Sequence, residues 1–278
     1  RACRITLAAA VASAGLFGGF FFLPAPFQVG LLGVFLLALL AGIVLFLLPT
    51  RRPTRIGEAP HSRFDERDII FARWRLVPGS PQWEAYYAMR PQNKASDDIF
   101  RSLPGLMGAK SHFANPFLFA AAEASFDLTY TMREFTEGEP AEDALVMPVE
   151  KMTVYIKSLA KFYGAKDVGI TELRPYHVYS HIGRGTGEYG SPIELNHRYA
   201  IAITVEMDHS FIRSAPTAAE SIEVSKQYVE VSNVAMQLAF AIRRMGYPAR
   251  AHIEGNYRVI CPLVARDAGL GEIGRMGE

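Results

Sequence analysis

The chain has 278 residues, half of them apolar, and a formal net charge of +1 from 29 Lys and Arg against 28 Asp and Glu. This balance excludes a protein that coats nucleic acid, which would carry a basic excess, and the apolar fraction excludes a disordered chain. The two cysteines, Cys3 and Cys261, are too few for a disulfide framework or a four-thiolate metal site. The charges are unevenly distributed, because none occurs between Ile5 and Thr50.

The uncharged segment contains two apolar runs, residues 5–23 and 29–48, separated by a Pro-Ala-Pro sequence. Each run has the ~20 residues that a helix needs to cross the ~30 Å hydrocarbon core of a bilayer. We therefore predict a two-helix transmembrane hairpin over residues 1–50 in the lipid bilayer. Arginines flank both of its ends, namely Arg1, Arg4, Arg51, Arg52 and Arg55. By the positive-inside rule, both ends and the soluble domain that follows lie on the cytoplasmic side of the membrane.

A cleaved signal peptide is the alternative, with Arg1 and Arg4 as its basic region and residues 5–23 as its apolar region. A second long apolar run immediately afterwards is not expected of a signal peptide, which favours the hairpin. Because the chain begins with Arg rather than Met, we expect it to be a fragment of a longer protein.

The remainder of the chain has the mixed pattern of a soluble protein with helices and strands. Residues 51–60 are a polar linker, and turn signals divide residues 61–148 into short stretches, with one clear helix at 115–130. Residues 149–278 are more regular. In chain order they predict a helix from 149 that Gly164 ends, strands at 167–171 and 199–207, a helix at 221–245 that Gly246 closes, a strand at 249–253, an apolar element at 259–268 and a glycine-rich loop at 269–275. The apolar strand at 199–207 is predicted to be central in its sheet.

Three patterns that can carry chemistry have simpler explanations. Residues 185–190 fit G-x-G-x-x-G, but neither a strand before them nor a helix after them is predicted, so we expect a surface loop. His177 and His181 have the spacing of a helical metal site, yet a nearby proline disfavours a helix, and we expect hydrogen-bonded loop histidines. Cys261 lies in an apolar run and is predicted to be a buried thiol. We therefore predict no metal site in this chain.

Two series of motifs go further. The first comprises Asp65-Glu66-Arg67-Asp68, Phe71-Ala72-Arg73, Pro78-Gly79, Tyr86-Tyr87, Asp97-Asp98 and Pro104-Gly105-Leu106. The second comprises Val178-Tyr179-Ser180, YAIAITVEMD from 199, AFAIRRMGYPA from 239 and AGLGEIGR from 268. In order and approximate spacing, the two series resemble the corrinoid-dependent reductive dehalogenases from about residue 61 to the end of the chain.

This resemblance implies an α+β architecture with the hairpin at 1–50, a linker and N-terminal region at 51–148, and the first part of a nitroreductase-like cobalamin-binding core at 149–278. It also implies two cofactors, a base-off cobalamin and a pair of [4Fe–4S] clusters. The cysteine runs that would hold the clusters are absent from the sequence and are expected downstream of Glu278. A membrane anchor within the same chain resembles a minority branch of the family.

The resemblance further implies two catalytic residues. Tyr228, on the predicted long helix, matches the family's proton donor, a tyrosine whose pKa of about 10 is lowered by a nearby cation. The basic partner of this tyrosine is expected beyond Glu278. Asn256 matches a residue that lines the substrate pocket. Without the resemblance, Tyr228 would be a core aromatic and Asn256 a turn residue.

Five residues are expected to contact cobalamin on the same grounds. Tyr179 and Ser180 are expected to face the cofactor, and Gly269, Gly271 and Gly274 would allow the backbone to approach the corrinoid more closely than side chains permit.

The expected function is the reductive removal of halide from a small organohalide, with electrons from a donor that the sequence does not identify. One alternative is a relative of epoxyqueuosine reductase, which uses the same cofactors on tRNA. The nearly neutral soluble part and the membrane hairpin disfavour a nucleic acid partner. A non-catalytic, membrane-tethered corrinoid-binding protein is the other alternative, and it would fit a chain that ends near Glu278.

Overall fold

The computed structural model describes residues 24–47, 59–105 and 107–274, and it divides into the compact units Arg1–Thr54 and Arg55–Glu278. The first unit contains helix α1 (Ala25–Leu47). The helix begins four residues before the predicted position, because a proline in its first turn leaves no hydrogen bond unsatisfied.

Helix α1 provides one span, Ala25–Val44, that is long and apolar enough to cross a membrane, and none of it is buried. Such a helix near an N-terminus suits either a membrane anchor or a signal sequence. The other predicted span, residues 5–23, lies outside the described residues, so the two-helix hairpin stays a prediction.

The second unit begins with short helices joined by turns. They are α2 (Ile70–Trp74), α3 (Pro81–Met89), α4 (Lys94–Ser102) and α5 (Pro116–Met132). The Ser80 hydroxyl accepts a hydrogen bond from the Trp83 N–H and caps α3, and the Asn115 side chain caps α5 in the same way. Helix α5 is the helix predicted at 115–130, and it packs against the long helix α8 defined below.

The regular part of the unit follows. It comprises α6 (Val149–Phe162), β1 (Asp167–Glu172), β2 (Tyr199–Thr204), α7 (His209–Ile212), α8 (Ala218–Arg244) and α9 (Cys261–Asp267). Gly164 and Gly246 stand after α6 and α8 with φ of 114° and 83°, as predicted for residues that stop helices. At Gly246 a Cβ would lie 2.5 Å from the Ala144 Cα, so the close approach also requires glycine.

Strands β1 and β2 form an antiparallel ribbon, with Asp167 opposite Thr204 and Glu172 opposite Tyr199. Among the described residues β2 pairs with β1 alone, so the prediction of a central strand is wrong. The apolar sequence has another cause, because both faces of the ribbon are covered. Ile201 packs on a cluster contributed by α6 and α8, whereas the alanines of β2 pack on a second cluster that includes α9.

The prediction of a strand at 249–253 is also wrong, since this segment pairs with no strand among the described residues. The Ala251 N–H donates instead to the carbonyl of Thr136 over 2.9 Å. Ala251 and Ile253 pack on Met236 of α8, which accounts for their alternation with polar residues.

Candidate functional site

The candidate site forms where residues 177–179 run alongside residues 258–260. The Tyr179 N–H donates to the carbonyl of Arg258 over 3.0 Å, which fixes the register of the two segments. Since α9 starts directly after the second segment, this pairing brings Tyr179 beside Cys261.

Cys261 is exposed, so the prediction of a buried thiol is wrong. The protein atoms around it nevertheless desolvate the thiol and raise its pKa to about 11, while the charge of Arg184 opposes this change. The Cys261 side chain thus reaches solvent although protein atoms flank it, and we call the surface around Cys261, Tyr179 and Tyr257 the concavity.

Tyrosines surround this concavity. Desolvation raises the pKa of Tyr179 to about 12, and it raises the pKa of Tyr257 well above its ordinary value. Tyr257 also interacts electrostatically with Cys261 and with Tyr228 of α8. The Tyr228 ring is half-buried and lies 6.0 Å from the ring of Phe126, between centroids. The fold therefore brings the predicted proton donor and one predicted cofactor residue to the same place.

Arg184 supplies positive charge to this concavity. Its guanidinium carbon lies 5.7 Å from the centroid of the Tyr257 ring, and its charge lowers the pKa values of Tyr179 and Tyr257 against the effect of desolvation. Its Nε pairs with the fully buried Glu66, at 3.2 Å from Oε1. Sequence reasoning missed Glu66 and Arg184 as site residues, because no spacing relates positions 118 residues apart. It named Asn256 but not the adjacent Tyr257.

Asn256 is fully buried and anchors a loop. Its Oδ1 accepts hydrogen bonds from the Thr186 N–H and hydroxyl, at 3.3 and 3.1 Å, and from Arg250 at 3.2 Å. Its Nδ2 donates to the Thr136 hydroxyl over 3.1 Å and to the carbonyl of Arg133 over 3.3 Å. These bonds use both ends of the carboxamide within the protein. The expected contact with substrate stays a prediction.

The G-x-G-x-x-G segment is a loop, as predicted, and no helix follows it. Gly185 has a φ of 81°, and a Cβ there would lie 2.5 Å from the Asn256 Oδ1. The first glycine of the segment is therefore required by the buried asparagine and not by a phosphate.

The remaining predicted cofactor residues lie apart from these contacts. The Ser180 hydroxyl is 2.9 Å from the His181 Nδ1. Gly269 follows α9 with a φ of 80°, whereas Gly274 is exposed in the coil beyond it. A Cβ on Gly271 would meet no atom within 4 Å, so no contact among the described residues requires glycine there.

His177 is fully buried in a short 3-10 turn, Pro175–His177. Its Nδ1 accepts from the Arg174 N–H over 3.0 Å, so its Nε2 carries the proton and donates to the Asp267 carboxylate over 2.8 Å. Burial lowers the pKa of His177, and the Asp267 carboxylate opposes this. The histidine is hydrogen-bonded in a turn, as predicted.

The first motif series forms a polar network in the N-terminal helices. Asp68 accepts a hydrogen bond from the Tyr86 hydroxyl over 3.0 Å, and Asp97 accepts one from the Tyr87 hydroxyl over 2.9 Å. Asp97 also pairs with Arg73 at 3.0 Å. These residues hold α2, α3 and α4 together. No group of three or more metal-ligating side chains occurs within the described residues.

No protein-family model matches the chain. A tetrachloroethene reductive dehalogenase of Desulfitobacterium hafniense is 38% identical over 77 residues, and one of Dehalobacter restrictus is 36% identical over the same length. Over these residues the chain is similar to the reductive dehalogenases. The aligned residues make up 28% of this chain and 14% of those relatives, and the relatives are oxidoreductases.

Two solved structures are also similar to this chain. A reductive dehalogenase structure that suggests a mechanism for B12-dependent dehalogenation matches with a TM-score of 0.55 and 22% identity, over 77% of this chain and 28% of that one. The chain therefore shares its fold. The catabolic reductive dehalogenase NpRdhA in complex with 3-bromo-4-hydroxybenzoic acid matches with a TM-score of 0.47 and 26% identity, over 55% of this chain and 23% of that one.

Proposed function

We propose that the protein is a cobalamin-dependent reductive dehalogenase that replaces a carbon–halogen bond of a small organohalide with a carbon–hydrogen bond. The observation that carries this proposal is the cluster around Tyr257 and Cys261, which includes Tyr179 and Tyr228, in a chain that is similar to the reductive dehalogenases. The balanced reaction consumes two electrons and one proton for each halide released. When bound, cobalamin would supply low-valent cobalt as the immediate source of electrons.

The residues present suit a large cofactor at this place. Cys261 is exposed at the concavity, and in the coil after α9 a Cβ on Gly271 would meet no atom of the described residues within 4 Å. Tyr179, Ser180 and the glycines that follow α9 would hold the cofactor. The [4Fe–4S] clusters are a different matter, because two cysteines cannot provide four thiolates, and no step here passes through a cluster.

The protein's own part in the reaction is to deliver the proton. The Tyr228 hydroxyl donates its proton to the carbon that has lost halide and is left as a phenolate. A phenol has an ordinary pKa of about 10, so a nearby positive charge favours this step by stabilising the phenolate. Arg184 lies against the neighbouring Tyr257 and is a cation that could fill this role.

A cobalamin titration tests the cofactor assignment. The full chain, held in detergent without oxygen, should bind cobalamin saturably and shift its visible absorbance. An unchanged spectrum would overturn the proposal.

Replacing Tyr228 with Phe tests the proton donor. With titanium(III) citrate as reductant and tetrachloroethene as probe, we expect the bound cofactor to dehalogenate faster than free cobalamin. Tyr228→Phe should reduce this enhancement by about 10²-fold or more while cobalamin stays bound. Phe126→Leu, which changes the ring beside Tyr228 and keeps its hydroxyl, is the matched control. Full activity of Tyr228→Phe would remove the tyrosine from the mechanism.

The membrane anchor and the cytoplasmic position of the second unit belong to the same proposal. They are supported by the apolar helix α1 and by the arginines that follow it in the sequence.

A further inference from the structure

Glu66 is a buried carboxylate that the proposed reaction does not use directly. It lies in the 3-10 turn Glu66–Asp68 and is fully buried. Its Oε2 accepts the backbone N–H groups of Gly183 and Arg184 over 2.8 and 3.2 Å, and its Oε1 accepts from the Arg184 Nε over 3.2 Å. A buried carboxylate is stable only when it is paired and hydrogen-bonded, and this one satisfies both conditions with two consecutive residues.

The backbone around this pair is closely packed. A Cβ at Gly183 would lie 2.7 Å from the carbonyl carbon and oxygen of Glu66, so only glycine allows the two segments to meet. On the other side, the carbonyl of Arg184 accepts a hydrogen bond from Arg258 over 3.1 Å. Arg184 is thus fixed through its backbone and its side chain, which is only 6% exposed.

Arg184 carries this constraint to the concavity. Its guanidinium lies against the Tyr257 ring, and its charge acts on Tyr179, Tyr257 and Cys261. An arginine side chain has considerable rotamer freedom, so a fixed position above the ring requires a partner. In the described residues Glu66 is the one carboxylate that pairs with Arg184.

We infer that Glu66 is a positioning residue of the site, which holds the Arg184 guanidinium against the tyrosines of the concavity. Its importance for dehalogenation rests on the proposed function, whereas the arrangement itself does not require a cofactor. In the reaction, Arg184 would favour the transfer of a proton from a phenol at this place, and Glu66 would act only through Arg184.

The thiol of Cys261 reports on the arrangement without any cofactor. The groups that face it are Arg184, Glu254, Tyr179 and Tyr257, and Arg184 is the cation among them. The thiolate is the form that iodoacetamide alkylates. In a Cys3→Ser background, in which Cys261 is the single thiol, the alkylation rate at pH 8 therefore measures how strongly Arg184 stabilises the thiolate.

The sign of the effect separates positioning from simple charge. If Glu66 acted through its own charge, Glu66→Gln would remove a negative group and accelerate alkylation. If Glu66 positions Arg184, Glu66→Gln should slow alkylation, on the order of tenfold for a rise of one unit in the thiol pKa. Arg184→Gln should slow it equally, and the double variant should be no slower than either single variant.

Asp97→Asn is the matched control, because it removes another buried carboxylate of the same N-terminal region, one that pairs with Arg73. It should lower stability and leave the alkylation rate unchanged. If Glu66→Gln does not fold, Arg184→Gln and Arg184→Lys still test whether a positive charge at position 184 acts on the Cys261 thiol. Lysine keeps the charge, so Arg184→Lys should retain much of the alkylation rate that Arg184→Gln loses.

An unchanged or faster rate in folded Glu66→Gln would overturn the inference, as would an unchanged rate in Arg184→Gln. Slower alkylation in a protein that fails to bind cobalamin would leave the arrangement standing and remove the proposed function. Normal cobalamin binding with an unchanged alkylation rate would overturn the role of Glu66 and leave the proposed function standing.

Discussion

Two glycines with similar backbone angles separate conformational strain from steric exclusion. Gly185 has a φ of 81° and Gly79 one of 77°, but only at Gly185 would a Cβ meet other atoms, 2.5 Å from the Asn256 Oδ1. We expect Gly79→Ala to lower the free energy of unfolding by roughly 1 kcal/mol through the left-handed conformation alone. Gly185→Ala should lower it by about 2 kcal/mol more, because the buried asparagine cannot move without losing hydrogen bonds.

Urea unfolding of both variants measures the difference. Equal losses of stability would mean that Asn256 yields to the added methyl group, and that its hydrogen bonds do not hold the loop in place.

For single residues, the sequence predicted local backbone conformation better than it predicted burial. Gly164 and Gly246 end their helices as predicted, because a left-handed residue has a local signature. Cys261 was predicted to be buried from its apolar neighbours, yet it is exposed, because α9 turns its first residue toward the concavity. Exposure at a helix end depends on what the rest of the fold leaves open.

At the scale of the elements, Asp267 holds helix α9 to the turn Pro175–His177. This contact predicts that the stability of the fold falls in acid. Desolvation raises the pKa of Asp267, but hydrogen bonds from Arg266, Tyr176 and His177 outweigh this effect and lower the pKa to about 2. A carboxylate with a folded pKa below its unfolded value of 3.8 stabilises the fold fully above that value. The stabilisation is lost as the pH falls from about 4 toward 2.

Asp267→Asn should therefore lower the free energy of unfolding by about 2 kcal/mol at neutral pH and make the stability curve less steep below pH ~4. His177 also makes the fold less stable as the pH falls below its unfolded pKa of 6.5, because its pKa is lower in the folded protein. Urea unfolding at a series of pH values measures both effects. Asp98→Asn, which removes an exposed carboxylate paired with Lys94, is the control and should have a much smaller effect. An acid slope as steep in Asp267→Asn as in the wild type would contradict this account.

Helices were predicted more reliably than strands, and the reason is physical. Helices α5, α6 and α8 have periodic apolar faces and local end signals, so their sequences contain most of what determines them. A strand needs a partner that the local sequence does not show. The segment at 249–253 has an alternating pattern, but it hydrogen-bonds to the turn at Thr136 and packs on α8. Strand β2 is apolar because both of its faces are covered, not because it is central.

At the scale of the whole molecule, the start of the first motif series, with the residue before it, contacts the segment 180–184, which begins in the second series. Glu66 binds Gly183 and Arg184, and the Ser180 N–H donates to the carbonyl of Phe64 over 2.7 Å. This contact explains why the site could be predicted only in part, since Arg184, which faces the site, is held by Glu66 of the first series.

The orientation of the chain in a membrane is the remaining large-scale prediction. A hairpin places both termini in the cytoplasm, a single span through α1 places them on opposite sides, and a cleaved signal peptide removes the N-terminus altogether. Reporter tags at each end of the full chain, followed by protease treatment of intact spheroplasts, distinguish the three. We expect both tags to be protected.

Replacing Arg51, Arg52 and Arg55 with Gln should expose the C-terminal tag in a substantial fraction of molecules, because the Lys and Arg bias determines orientation. Replacing the acidic Glu137, Glu139 and Glu142 is the control and should change nothing, and a C-terminal tag exposed in the unmodified chain would contradict the cytoplasmic position.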